Sequence, residues 1–125
     1  MCEGNEHRIL ILETAAASRQ VLEAAVREAG FEPEFLADTG SIVDLAICLR
    51  PTAIIAAVFP PRLLGLALCR QLRGTPQTAM IPVFVISMLH LEAEALDAGA
   101  AGFFLKPMQS DQLVRRLRAL TMQEA

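Results

Sequence analysis

The chain contains uninterrupted apolar runs of strand length, and stretches with helical periodicity separate them. Runs without alternating polar positions are typical of parallel strands that helices cover on both faces. Four such runs occupy residues 9–12, 53–58, 81–86 and 102–105, and a weaker strand is predicted at 34–36. This pattern predicts an α/β fold in which five parallel strands alternate with five helices, in three layers.

The helices between the strands are predicted from apolar spacing and from residues that favour helix ends. Ser18 is a predicted N-cap, Gly30 a predicted helix stop, and Pro51 ends the next helix. Further helices are predicted at 41–49, 63–73 and 89–98. Ser110 caps the last helix, whose inward residues are Leu113, Val114, Leu117 and Leu120.

Length and composition point to one folded domain. The chain has 125 residues, of which 54% are hydrophobic, so it can bury enough apolar surface to offset its ordering entropy. We expect a flexible N-terminal tail at 1–7, a domain at 8–121, and a tail or linker start at 122–125. The net charge of −3 argues against a nucleic-acid partner. No segment resembles a signal peptide or a membrane span, so the expected location is the cytoplasm, without a membrane partner.

The sequence carries no recognisable catalytic or metal-binding motif. It lacks a glycine-rich phosphate loop, a G-x-S-x-G turn, an H-E-x-x-H pair and any C-x-x-C pair. Cys2, Cys48 and Cys69 are predicted to be reduced thiols, with Cys48 and Cys69 as small core residues. We therefore expect no enzymatic activity, no cofactor and no metal.

Five pieces of sequence, in order, resemble the receiver domain of two-component response regulators. They are RILILE at 8–13, RPTAIIAAVFPP at 50–61, LGLALCRQLR at 64–73, IPVFVIS at 81–87 and EALDAGAAGFFLKP at 94–107. The likeness covers nearly the whole chain. It implies a flavodoxin-like (βα)5 fold with strand order 2-1-3-4-5 and a role in bacterial two-component signalling or phosphorelay.

The resemblance also implies roles for individual residues. Ser87 matches the hydroxyl residue that contacts the phosphoryl group, and Lys106 matches the lysine that pairs with a phosphoryl oxygen. Phe103 matches the aromatic residue whose rotamer reports activation. Gly65 matches the glycine after the phosphorylation strand, and Pro107 matches the proline that follows the lysine.

Other positions depart from the family pattern at the residues that perform the family's phosphorylation chemistry. Glu13 matches the first residue of the acidic pair, but Thr14 replaces the second, and Ala57 stands where the phosphoacceptor Asp is expected. No shift in alignment supplies a carboxylate, because the 47 residues from Leu45 to Leu91 contain no Asp or Glu. One carboxylate in place of three should hold Mg²⁺ poorly. The sequence therefore resembles a degenerate receiver, or pseudo-receiver.

The expected function is protein–protein interaction in signalling without aspartyl phosphorylation. The partner would be a signalling protein or the chain's own effector domain. Homodimerisation would use the face of the fourth helix, fifth strand and fifth helix, within residues 88–120. Arg115, Arg116 and Arg118 form a candidate docking surface on the last helix. An alternative is a small-anion or phosphate-binding regulator that uses Lys106, Ser87 and Thr14. A third interpretation is an active receiver with a Ser or Thr acceptor.

The charged residues that remain at the pocket formed by the strand ends lead to one geometric expectation. Lys106 needs a counter-charge if it is partly buried, and Glu13 is the carboxylate left at the strand ends. We expect a direct or one-water contact between them. The competing expectation is that Lys106 turns to solvent while Phe59 or Met88 closes the pocket.

Overall fold

The structure is a computed structural model that describes residues 7–13, 15–36, 42–58, 64–106 and 110–124. Strands and helices alternate along the chain. The strands are β1 (Arg8–Leu12), β2 (Glu32–Leu36), β3 (Ala53–Val58), β4 (Val83–Ser87) and β5 (Gly102–Leu105). The helices are α1 (Ala16–Glu28), α2 (Ile42–Leu49), α3 (Leu64–Gly74), α4 (Glu92–Asp97) and α5 (Ser110–Glu124).

The strands form one parallel sheet in the order β2-β1-β3-β4-β5. This is the predicted flavodoxin-like topology. Its register aligns Leu12 with Ala56 between β1 and β3, and Ser87 with Leu105 between β4 and β5. The carboxyl ends of β1, β3, β4 and β5 therefore lie along the same edge of the sheet, where doubly wound folds place their functional sites.

Two apolar layers cover the sheet, one on each face. On one face, Ile9, Ile11, Ala53 and Ile55 pack with α1 and α5. On the other face, alternate residues of the same strands pack with α2, α3 and α4. The predicted inward residues of α5 are confirmed: Leu113, Val114 and Leu117 are buried, and Leu120 packs against this core.

The ends of α1 show one correct and one wrong prediction. Gly30 has φ 95°, its N–H donates to Arg27 O, and Phe31 N–H donates to Val26 O, which is a Schellman end. The predicted N-cap at Ser18 is wrong, because α1 starts at Ala16 and Ala15 occupies the cap position without a side-chain hydrogen bond. Ser18 lies inside the first turn instead.

Other boundaries moved by a few residues. The helix predicted at 89–98 is shorter, and the strand predicted at 34–36 begins earlier, at Glu32. The last helix runs from Ser110 to Glu124. No helix among the described residues is long and apolar enough to span a bilayer.

The cysteine prediction is correct for one residue and wrong for another. Cys69 is a free thiol, fully buried in the core between the sheet and α3. Burial raises the pKa of the Cys69 thiol, although Arg73 and Arg70 oppose that shift. Cys48, in contrast, is partly buried on α2 and disulfide-bonded, not a reduced core thiol.

Candidate functional site

Positions 13, 57 and 106 share one face of the sheet at its carboxyl edge. Residues alternate between faces along a strand, and Ile9, Ile11, Ala53, Ile55 and Phe104 belong to the α1–α5 side. Glu13, Ala57 and Lys106 continue those alternations. In the strand order, β3 and β4 separate the ends of β1 and β5. Lys106 must therefore extend across two strand ends to reach Glu13.

The predicted contact between Glu13 and Lys106 is confirmed. Lys106 Nζ donates to Glu13 Oε2 at 2.5 Å, a charge-assisted hydrogen bond. The Glu13 side chain is only 1% exposed and the Lys106 side chain 17% exposed. The competing expectation is wrong in two respects, since Lys106 does not turn to solvent and Met88 is 72% exposed. Phe59 lies outside the described residues.

The second oxygen of the Glu13 carboxylate also has a partner. Ala15 N–H, at the start of α1, donates to Glu13 Oε1 at 3.1 Å. A carboxylate suits this place because the N–H groups of a first helical turn lack partners within the helix. Sequence reasoning missed this contact, because every residue except proline carries the same backbone N–H donor. Glu13 therefore connects three pieces of the fold: β1, α1 and the end of β5.

The described residues at this edge do not assemble the carboxylates that a magnesium site needs. Ala57 is 5% exposed and contributes a methyl group between the two charged residues. Both oxygens of Glu13 already accept hydrogen bonds. Among the described residues, no group of three His, Cys, Asp or Glu side chains could hold a metal ion. Since Mg²⁺ requires several oxygen ligands at near-octahedral geometry, the described residues do not fit it.

Ser87 and Lys106 are neighbours, but they do not form an anion site together. Ser87 is fully buried and its Oγ accepts a hydrogen bond from Leu89 N–H at 3.0 Å. The contact between Ser87 and Lys106 is a backbone one, in which Lys106 N–H donates to Ser87 O at 2.7 Å. The Lys106 ammonium is already paired with a carboxylate. The anion-binding alternative is therefore not supported. Its third residue, Thr14, lies outside the described residues, as does Pro107.

Phe103 is a core residue of the opposite face. It lies in β5 beside Val85 and packs, partly buried, against the core that α2, α3 and α4 cover. Gly65 belongs to α3.

Two of the three arginines proposed for docking hold α5 in place. Arg116 Nη2 donates to Ala101 O at 2.9 Å, and its guanidinium lies 5.4 Å from the centroid of the Phe84 ring. Arg118 Nη2 donates to Glu28 O, at the end of α1, at 3.1 Å. Arg115 is exposed and forms no hydrogen bond or ion pair with other described residues. Of these three arginines, Arg115 is therefore the one whose guanidinium is not engaged by other described residues.

Comparison with known proteins points to one family. A family model described as the response regulator receiver domain matches residues 9–118. Response regulator MprA of Mycobacterium tuberculosis is 35% identical over 116 residues, which is 90% of this chain and 50% of that protein. The chain thus spans about half the length of this curated relative.

Solved structures share the fold as well. The signal receiver domain of a signal transduction histidine kinase from Syntrophus aciditrophicus has a TM-score of 0.76 and 31% identity, with 90% of each chain covered. The receiver domain of a sensor histidine kinase from Pseudomonas aeruginosa has a TM-score of 0.77 and 25% identity. It covers 93% of this chain and 98% of that one, and a magnesium ion is coordinated in its active site cleft.

Proposed function

The chain belongs to the response regulator receiver domain family of two-component signalling, and from that membership we propose that it is a pseudo-receiver. Receiver domains are generally signalling modules and not enzymes. This one would transmit a signal by docking and without aspartyl phosphorylation. The observation that carries the proposal is the buried pair of Glu13 and Lys106 beside the methyl group of Ala57. A methyl group cannot accept a phosphoryl group, and the lysine already has its counter-charge.

Phosphotransfer from a small donor tests the proposal directly. The protein is incubated with acetyl phosphate and Mg²⁺, and its intact mass is measured. We expect no gain of about 80 Da, the mass of one phosphoryl group. A receiver that retains its Asp, treated in parallel, shows that the donor is active. An adduct on this chain would overturn the proposal. An acid-stable adduct would favour the Ser or Thr acceptor, and an acid-labile one would indicate phosphorylation of a carboxylate or a histidine.

We further propose that the partner is a second copy of this chain. The docking face comprises the exposed side chains of α4, β5 and α5 together with Met88 and Leu89. Its exposed apolar residues are Met88, Leu89, Leu96 and Leu105. Next to them, α4 carries the exposed acidic residues Glu92, Glu94 and Asp97, while α5 carries Arg115.

Symmetry makes this distribution of charge self-complementary. A two-fold axis that lies in the plane of the docking face and runs along β5 brings α4 of one copy against α5 of the other. Acidic side chains then meet basic ones on both sides of an apolar centre. Charge complementarity of this kind favours the matched partner and sets the orientation.

Sedimentation equilibrium over a range of protein concentrations tests the second copy as partner. We expect a monomer–dimer equilibrium whose dissociation constant is the same with and without acetyl phosphate. A monomer at every concentration would exclude the second copy as partner, and a dimer that forms only with the phosphoryl donor would contradict constitutive docking.

The wider context of the domain is also a proposal. The matched relative is about twice as long as this chain, so a linked effector domain or a separate signalling protein would receive the signal. A cytoplasmic location and the absence of nucleic-acid binding by this domain belong to the same proposal. The net charge of −3 supports the second of these.

A further inference from the structure

We propose that the Glu13 carboxylate acts as a built-in anion that keeps free anions out of the pocket. The Lys106 ammonium lies at this edge of the sheet, and the Glu13 carboxylate neutralises it at 2.5 Å. Glu13 would then determine which ligands the pocket rejects. The inference concerns the chemistry of the pocket and is independent of the partner proposed for the docking face.

To bind Lys106, a free anion would have to displace Glu13, which is part of the protein and stays next to the lysine. Glu13 is fixed by β1 and by the hydrogen bond from Ala15 N–H, so its effective concentration at Lys106 is far above that of a solute. Displacement would also leave a carboxylate that is 1% exposed without its counter-charge. Removing one partner of a buried pair is strongly unfavourable. Millimolar phosphate or sulfate should therefore fail to bind.

Ala57 contributes the space for this arrangement. The lysine chain extends from the end of β5 towards β1 on the face to which Ala57 belongs. A methyl group there leaves room for the alkyl stem and supplies no competing charge. The same substitution that removes the phosphoacceptor thus also leaves Glu13 as the partner of Lys106.

The inference predicts that one substitution uncovers a hidden anion site. Glu13→Gln removes the charge but keeps an oxygen that accepts the Ala15 N–H bond. The unpaired Lys106 should then bind inorganic phosphate, so phosphate should raise the Tm of this variant by about 3 °C more than that of the native protein. Chloride balances the ionic strength. The double variant with Lys106→Met is the matched control, because it carries only the nonspecific stabilisation by phosphate.

Equal phosphate responses in the native protein and in Glu13→Gln would overturn the inference. So would an unchanged response after Lys106 is removed, because the added anion would then bind elsewhere. These results are independent of the mass and sedimentation experiments. If the anion inference fails, the pseudo-receiver proposal is not contradicted, because those experiments test it separately.

A second measurement uses the native protein and requires no variant. Lys106 is the only lysine in the sequence, so protein labelled with ¹³C-lysine gives side-chain NMR signals that belong to this residue alone. In the native protein we expect these signals to stay in place as inorganic phosphate is added to millimolar concentration. A saturable shift would show that Lys106 is open to anions and that Glu13 does not exclude them.

Discussion

At the scale of single residues, the two members of the buried ion pair differ in what their removal leaves behind. Lys106→Met leaves a carboxylate that is 1% exposed, whereas Glu13→Gln leaves an ammonium that is 17% exposed and has a flexible stem. We expect Lys106→Met to lower the free energy of unfolding by about 3 kcal/mol and Glu13→Gln by less. Urea unfolding measures both.

The double variant completes the cycle. Because it leaves neither charge unpaired, it should be more stable than the sum of the single losses predicts, with a coupling of at least about 1 kcal/mol. Additive losses would show that the two side chains do not stabilise each other in solution, and the pair would then have no energetic role.

Ala57 allows a test of whether a missing carboxylate limits the affinity of this site for Mg²⁺. Ala57→Asp adds a second carboxylate on the face that carries Glu13, and two carboxylates are a common protein contribution to Mg²⁺ binding. We expect millimolar Mg²⁺ to shift the backbone amide NMR signals of residues 13 and 57 in this variant. The native protein should show no such shifts. Saturable shifts in the native protein at micromolar Mg²⁺ would contradict the structural account.

At the scale of secondary-structure elements, α2 ends on a strained residue. Arg50 has φ 49°, a left-handed conformation that costs a side-chain-bearing residue about 1 kcal/mol, and its N–H donates to Ala46 O. Arg50→Gly should therefore raise the free energy of unfolding by about 0.5–1 kcal/mol. Arg50→Ala is the matched control, since it removes the side chain but keeps the strain. Equal effects of the two substitutions would show that the backbone strain is not the cause.

The packing of α5 against the sheet provides another comparison of matched variants. Gly102 lets Arg116 approach β5: a Cβ at Gly102 would lie 3.0 Å from Phe84 Cδ1 and 3.4 Å from Arg116 Nη2. Arg116→Ala loses the bond to Ala101 O and the contact with the Phe84 ring, so a loss of about 1–2 kcal/mol is expected. Arg115→Ala should change stability by less than about 0.5 kcal/mol. Thermal unfolding of both variants distinguishes them, and similar losses would mean that Arg116 does not anchor the helix.

Elements that are buried on both faces could be predicted well from the sequence. The bounds of β3 agree with the prediction because a central strand must be apolar throughout, and those of β5 agree although it is a partly buried edge strand. α4 was predicted too long: Leu89 fits a helical pattern, yet it is exposed and lies in a bend before the helix. Exposed apolar residues carry the same periodic signal as buried ones, so sequence alone could not separate them.

Only the contacts between side chains in the candidate site could be predicted from the sequence. The pairing of Glu13 with Lys106 followed from charge balance at the strand ends. The Ala15 N–H bond and the contact of Arg116 with Ala101 O involve backbone atoms, which leave no trace in residue types. For the same reason the three arginines of α5 looked equivalent in sequence, although their contacts divide them into anchors and one exposed residue.

At the scale of the whole molecule, the proposed dimer can be tested through the charges of its docking face. If Arg115 of one copy lies opposite the acidic side chains of α4 in the other, Arg115→Glu should weaken the dimer at least about tenfold by placing like charges together. Asp97→Arg should do the same, and the double variant should regain much of the affinity. Arg70→Glu, which makes the same charge change on α3, is the control.

The salt dependence of the dimer separates specific pairing from the effect of net charge. Contacts between exposed charges are screened as ionic strength rises, so the loss caused by Arg115→Glu should shrink in high salt while the apolar contribution of Leu96 and Leu105 persists. Sedimentation at low and high salt measures this. Equal weakening of the dimer by Arg115→Glu and Arg70→Glu would show that the added negative charge acts through the net charge of the molecule. In that case α4 and α5 would not be the elements that orient the two copies.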